Sequence, residues 1–162
     1  MDATHIHLLL NHFPIVGTLI GSGVMIWGLL KNRNSIKAVA AVIIISMALL
    51  AVPVYLTGEP AEERVEHLPG VSEAMIEEHE EAAEVAIWVM AAAGITSLLA
   101  LLLQYRSTSR IPFAIATTVT LLAFAAMVRV GYYGGQIRHS ELSTGQVSSS
   151  QQVGEHHAEE DD

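Results

Sequence analysis

The sequence predicts an all-α, integral membrane four-helix bundle with both termini on the outer side, and three observations carry that expectation. Apolar residues make up 51% of the 162-residue chain and gather in four stretches, about 13–30, 38–57, 85–103 and 113–131, each nearly free of charge. A bilayer core of about 30 Å takes roughly 20 helical residues, so these lengths match spans and not the shorter apolar runs of a soluble core. Cations are segregated as well: Lys31, Arg33 and Lys37 fill the first connection, Arg106 and Arg110 the third, and neither contains an acid. Those connections are expected to face the cytoplasm. The second connection, 58–84, carries ten glutamates and only Arg64, which leaves it and both termini outside.

Each element has its own local signals. The opening MDATHIHLLLNHFPIVG lacks a basic n-region and a small-residue cleavage site, so the first span reads as a retained anchor. Asn11 or a neighbour is placed to cap it, with Pro14 tolerated in its first turn. Pro53 lies within the second span, where it removes a backbone hydrogen bond and predicts a kink unless a neighbour compensates. SEAMIEEHEEAAEVAIWVM reads as continuous helix with Ser72 at its cap, so the third helix is expected to begin well outside the membrane. Pro112 opens the fourth. Residues 1–139 thus form the transmembrane domain, and 140–162, rich in Ser, Gln and acids, form an acidic disordered tail.

Composition excludes several functions. With no cysteine there is no disulfide framework, no cysteine-ligated iron–sulfur cluster and no CxxCH haem attachment. A net charge of -9 with scattered cations argues against nucleic acid. No nucleophile with a base, phosphate loop or enclosed acid–base pair is recognisable, so no independent enzymatic activity is expected.

The histidines are the informative feature. His5, His7, His12, His67, His79, His139, His156 and His157 all fall on the outer side of the expected topology. His12, His79 and His139 border three different helices that a bundle can bring to one level, and facing histidines are how a bundle holds haem iron. His7 and His12, five residues apart, diverge by about 140° around a helix and serve different sites or roles. Small residues adjoin them: Ala82, Ala83 and Ala86 follow His79, and Gly17, Gly21, Ser22 and Gly23 follow His12. These make room for a flat group, or equally let helices approach closely without one. Solvated interfacial imidazoles are the plain alternative throughout. Arg129, near the outer end of the fourth span, invites a haem propionate, pairing with Glu84, or snorkelling beside Tyr132 and Tyr133. In the acidic connection, Glu62, Glu63, Glu66 and His67 share part of a helical face, as do Glu77, Glu80, Glu81 and Glu84. Their spacing misses the Glu-x-x-His pattern of di-iron bundles and reads as a solvated docking face.

HLLLNHFPIVG, TGEPAEE at 57–63, the helix entrance at His79 and GYYGGQIRHSE at 131–141 resemble the bacterial membrane family designated domain of unknown function 2231. The likeness covers nearly all of residues 7–141. Leu8 and Ser140 depart from it, standing where the family often has proline and glycine. The resemblance selects His7, His12, His79 and His139, and members joined to Rieske-type or cytochrome c-type domains imply redox work at the outer face.

The resulting expectation is an electron-transfer protein, cytochrome b-like, holding one or two b-type haems near the outer (periplasmic) face. His12 with His79 is the first ligand pair, His7 with His139 the second, and Arg129 and Arg138 lie near propionates. Its partners would be the lipid bilayer and a c-type cytochrome, a Rieske-type protein or a larger respiratory complex. Two alternatives stay open. The same histidines could bind copper or zinc, although no mid-span ionisable residue lines a transport path. The chain could also be a cofactor-free assembly subunit of a respiratory complex.

Overall fold

The computed structural model describes residues 3–64, 66, 71–106 and 109–138, and among these there is no strand. The helices are α1 (Ala3–Leu10), α2 (His12–Leu30), α3 (Asn34–Leu56), α4 (Gly58–Glu62), α5 (Glu73–Leu103) and α6 (Ile111–Arg138). Four of them are long and apolar enough to cross a membrane. The expected tail, His67, His139, His156, His157 and the side chain of Arg138 lie outside the described residues.

Around the bundle α2 packs on α3, α3 on α5, α5 on α6 and α6 back on α2, while α1 and α4 lie against each other over one end. Their buried positions explain this arrangement. From Ala82 onward the buried side chains on α5 are Ala82, Ala86, Met90, Ala93, Ser97 and Ala100, steps of three or four that keep one narrow seam facing the neighbours. Nearly every seam residue is small. Large apolar side chains such as Leu19, Trp27, Leu49, Trp88, Leu99 and Leu122 point outward instead. Water would strongly disfavour so much exposed apolar surface, whereas lipid accepts it, and close packing of small residues then supplies the helix-to-helix attraction. A Cβ on Gly94 would stand 2.7 Å from the Ala48 Cβ, which fixes how closely α3 and α5 approach. Three hydroxyls within the seam are satisfied by their own helices, Ser22 donating to Thr18 O, Thr117 to Phe113 O and Thr120 to Ala116 O, each at 2.7 Å.

Local signals are partly as expected. Ser72 has the extended backbone of an N-cap, and α5 begins at Glu73, a dozen residues before its apolar stretch. Its side chain makes no cap bond. Asn11 is a correction, because it is itself helical and caps nothing with its side chain. The helical path continues through the junction, Asn11 N–H donating to His7 O at 2.9 Å, and Pro14 in the first turn of α2 leaves the Leu10 carbonyl without its usual donor. α3 runs through Pro53 to Leu56. The turn between α2 and α3 is a Schellman motif: Asn32 N–H donates to Leu29 O at 3.2 Å, Arg33 N–H to Gly28 O at 3.0 Å, and Asn32 takes φ 50°. With the connection after α5, this turn forms one end of the bundle. His7, Glu62 and His79 form the other.

Candidate functional site

The candidate site lies at the histidine end, where α1 and α4 pack on each other and on α3 and where Glu62 of α4 approaches His79 of α5. His7 is half-buried on α1, and its Nδ1 donates to the carbonyl of Val54 on α3 at 3.0 Å, with Thr57 Oγ1 at 3.5 Å from the same nitrogen. His79 on α5 repeats the device, its Nδ1 donating to Val130 O on α6 at 3.1 Å. A carbonyl oxygen can only accept, so each bond puts the ring proton on Nδ1 and leaves an Nε2 lone pair in the neutral imidazole. The two rings are near enough to feel each other's charge. Glycines flank both: a Cβ on Gly58 would lie 3.7 Å from His7 Cε1, and one on Gly134 would lie 3.1 Å from His79 Cε1.

The third member is Glu62, the last residue of α4. Its Oε1 stands 3.7 Å from His79 Nε2, with the glutamate side chain only 15% exposed and the histidine 12%. Its Oε2 is buried without a hydrogen-bond partner. Burial, then the charge of Glu80 and a hydrogen bond with it, then the charge of Glu59, push the Glu62 carboxyl up to about 7. Glu62 therefore exchanges its proton near neutrality. Asn11, one turn after His7 on the same side of the helix, has a buried Oδ1 that is also unpartnered. Two of the three buried unpartnered side-chain acceptors among the described residues thus belong to α4 and to the junction of α1 with α2. A cation would satisfy them. Among the described residues no three His, Asp or Glu side chains already stand close enough together to hold one.

Of the other expected site residues, His139 and the side chain of Arg138 lie outside the described residues. His12 and His5 are exposed, and the histidine whose charge reaches His79 is His7. Arg129 pairs with Glu78 at 3.6 Å, not with Glu84, and its guanidinium lies 5.4 Å from the Tyr133 ring centre. α4 ends at Glu62, but Glu66 N–H still donates to Glu62 O at 3.0 Å, one helical turn on, and of the three glutamates Glu63 and Glu66 are exposed. Sequence reasoning placed Glu62 in a solvated face and missed its burial. The signal available was Ala61, next to Glu62 on α4, which turns one side of that helix inward and is itself buried.

No family model, curated protein or solved structure matches the chain.

Proposed function

We propose that this chain is a membrane-embedded module that binds a transition-metal ion, copper or zinc, through His7, Glu62 and His79. One observation carries the reading: two imidazoles on different helices each spend Nδ1 on a backbone carbonyl and keep Nε2 free, and the Nε2 of His79 stands 3.7 Å from a carboxylate whose other oxygen is buried and unpartnered. Mixed imidazole and carboxylate donors suit such ions, and anchoring the far ring nitrogen is how proteins orient metal-binding histidines. The metal would supply Lewis acidity or, for copper, one-electron chemistry. The chain's own part is to orient the rings, exclude water and release the Glu62 proton on binding. Five cations at the opposite end of the bundle support an orientation with this site at the outer face of a bacterial inner membrane. The resemblance to domain of unknown function 2231, which selects His7 and His79 among its histidines, supports the same site.

A second reading is b-type haem with His7 and His79 as axial ligands, in an electron-transfer protein serving a respiratory partner. The ring anchoring favours it equally, since two such imidazoles on facing helices suffice for haem iron. Glu62 favours the bare ion, because its carboxylate occupies the space beside His79 Nε2 and a macrocycle there requires α4 to move.

Elemental analysis and optical spectra of the detergent-purified protein separate the readings. The metal module predicts one equivalent of copper or zinc, lost in His7→Ala and in His79→Ala. A sharp reduced α-band with a positive pyridine haemochrome assay would establish the haem reading. Neither metal nor haem, in protein from replete cells, overturns both and leaves the assembly subunit.

A further inference from the structure

The end of the bundle opposite the histidines carries a different chemistry, independent of any metal. There is no Asp or Glu from residue 3 to 58, and none from 85 to 140. The positive charges of Lys31, Arg33, Lys37, Arg106 and Arg110 are therefore unopposed by sequence neighbours. Two of them face a groove: Trp27, Lys31, Arg33, Ser35 and Ile36 line an open cavity of about 400 Å³ at the turn between α2 and α3. The Schellman motif fixes this turn and sets Lys31 and Arg33 on either side of Asn32. Behind it Lys37 is 98% buried, its Nζ 5.0 Å from the Phe113 ring centre. Among the described residues neither Lys31 nor Arg33 has a carboxylate partner, and both are exposed.

A second groove, of about 510 Å³, runs between α3 and α5 and is almost wholly apolar, lined by Val39, Val42, Leu101, Leu102 and Tyr105 among others. Ser35 and Val39 are four residues apart, so the apolar groove begins one helical turn, about 5.4 Å, farther along the same stripe of α3. Cations at the mouth, a tryptophan at interface level and an apolar channel one turn deeper match an anion attached to a hydrocarbon chain. We propose that this is a binding site for an anionic phospholipid. The phosphodiester sits between Lys31 and Arg33, and an acyl chain lies along Val39 toward Leu101.

Thermal unfolding in a neutral detergent, with native mass spectrometry to count bound lipid, tests this on the full chain. Phosphatidylglycerol raises the melting temperature and is retained, while phosphatidylcholine and inorganic phosphate do neither. Lys31→Gln with Arg33→Gln weakens retention about 30-fold, from two cations worth roughly fivefold each. Exchanging the pair, Lys31→Arg with Arg33→Lys, keeps binding and shows that the fold is intact. Arg106→Gln, at the same end but outside the groove, changes nothing. The proposal is overturned if phosphatidylcholine or free phosphate stabilises equally, if the double glutamine variant retains the lipid, or if Arg106→Gln loses it to the same extent.

Discussion

The Nδ1 of His79 stands 3.1 Å from the carbonyl oxygen of Val130, and in that contact only the ring can donate. One bond thereby ties α5 to α6 and decides which nitrogen faces Glu62. Replacing His79 by alanine removes both. We expect His79→Ala to lose the metal altogether while costing the fold only about 1 kcal/mol, the ordinary worth of one hydrogen bond. Metal content and melting temperature, measured on one preparation, check the two halves. Loss of fold without prior loss of metal at permissive temperature would contradict a ligand role.

Glu62 makes stability depend on pH. Its carboxyl titrates near 7 in the folded chain, against about 4.3 in an unfolded one. The folded state therefore holds the proton more tightly. The stability this contributes is complete below about pH 4.3 and is lost as pH rises through about 7. Metal-free protein should accordingly melt at falling temperature between about pH 5 and pH 8, and Glu62→Gln should flatten that slope. An unchanged slope in the variant would assign the effect to another group.

Gly134 sits against the face of the site. A Cβ there would meet His79 Cε1 at 3.1 Å and Nδ1 at 3.3 Å. Since Val130 holds the ring, the imidazole cannot yield without losing its anchor. Gly134→Ala should leave overall stability within about 1 kcal/mol, because alanine's better helix propensity offsets the crowding, yet weaken metal binding by roughly tenfold or more, as when a ligand's supporting bond is lost. Isothermal titration at fixed pH reads the second quantity directly.

Packing along the seam should show the opposite sensitivity to that of a soluble core. Gly94→Leu drives a side chain into Ala48, already 2.7 Å from where the Cβ would stand. Overpacking of this kind costs about 1–3 kcal/mol. By contrast Leu99→Ala, on the exposed outer surface of α5, should change melting in detergent little. Equal effects from the two substitutions would argue that the helices pack in another register.

Asn32 adopts φ 50° at the end of α2. Glycine should serve as well there, whereas Asn32→Val should cost about 1–2 kcal/mol, the penalty of a left-handed conformation for a side chain branched at Cβ. Melting temperatures of the two variants side by side provide the comparison.

The spans were legible in the sequence because a bilayer imposes length and apolarity one segment at a time. The start of α5 was equally legible, since the alternation of Glu and Ala from Glu73 onward keeps helical period outside the apolar stretch. The site was less so. His7 and His79 are 72 residues apart in sequence, and their anchors are the carbonyls of Val54 and Val130, groups that every residue carries and that no side-chain pattern reveals. The small residues after His12 were legible as such, but not their neighbours: Gly17 and Gly21 face Met47 and Ile44 of α3. Glu62 was hidden for a related reason: ten glutamates in one connection look alike, and only the five-residue helix α4 turns one of them inward.

The brevity of the connection between α2 and α3 bears on how the chain is made. Three residues, Lys31–Arg33, separate the two helices. A connection this short holds the two helices antiparallel and adjacent, so insertion as a single hairpin with its backbone already satisfied is the expected route. Helices α5 and α6, joined by the short segment after Leu103, form a second such unit. The long acidic connection between the hairpins imposes no comparable coupling. Assembly on that route would be the docking of two hairpins, with His7, on the helix leading into the first, and His79, on the second, expected to come together only when docking is complete.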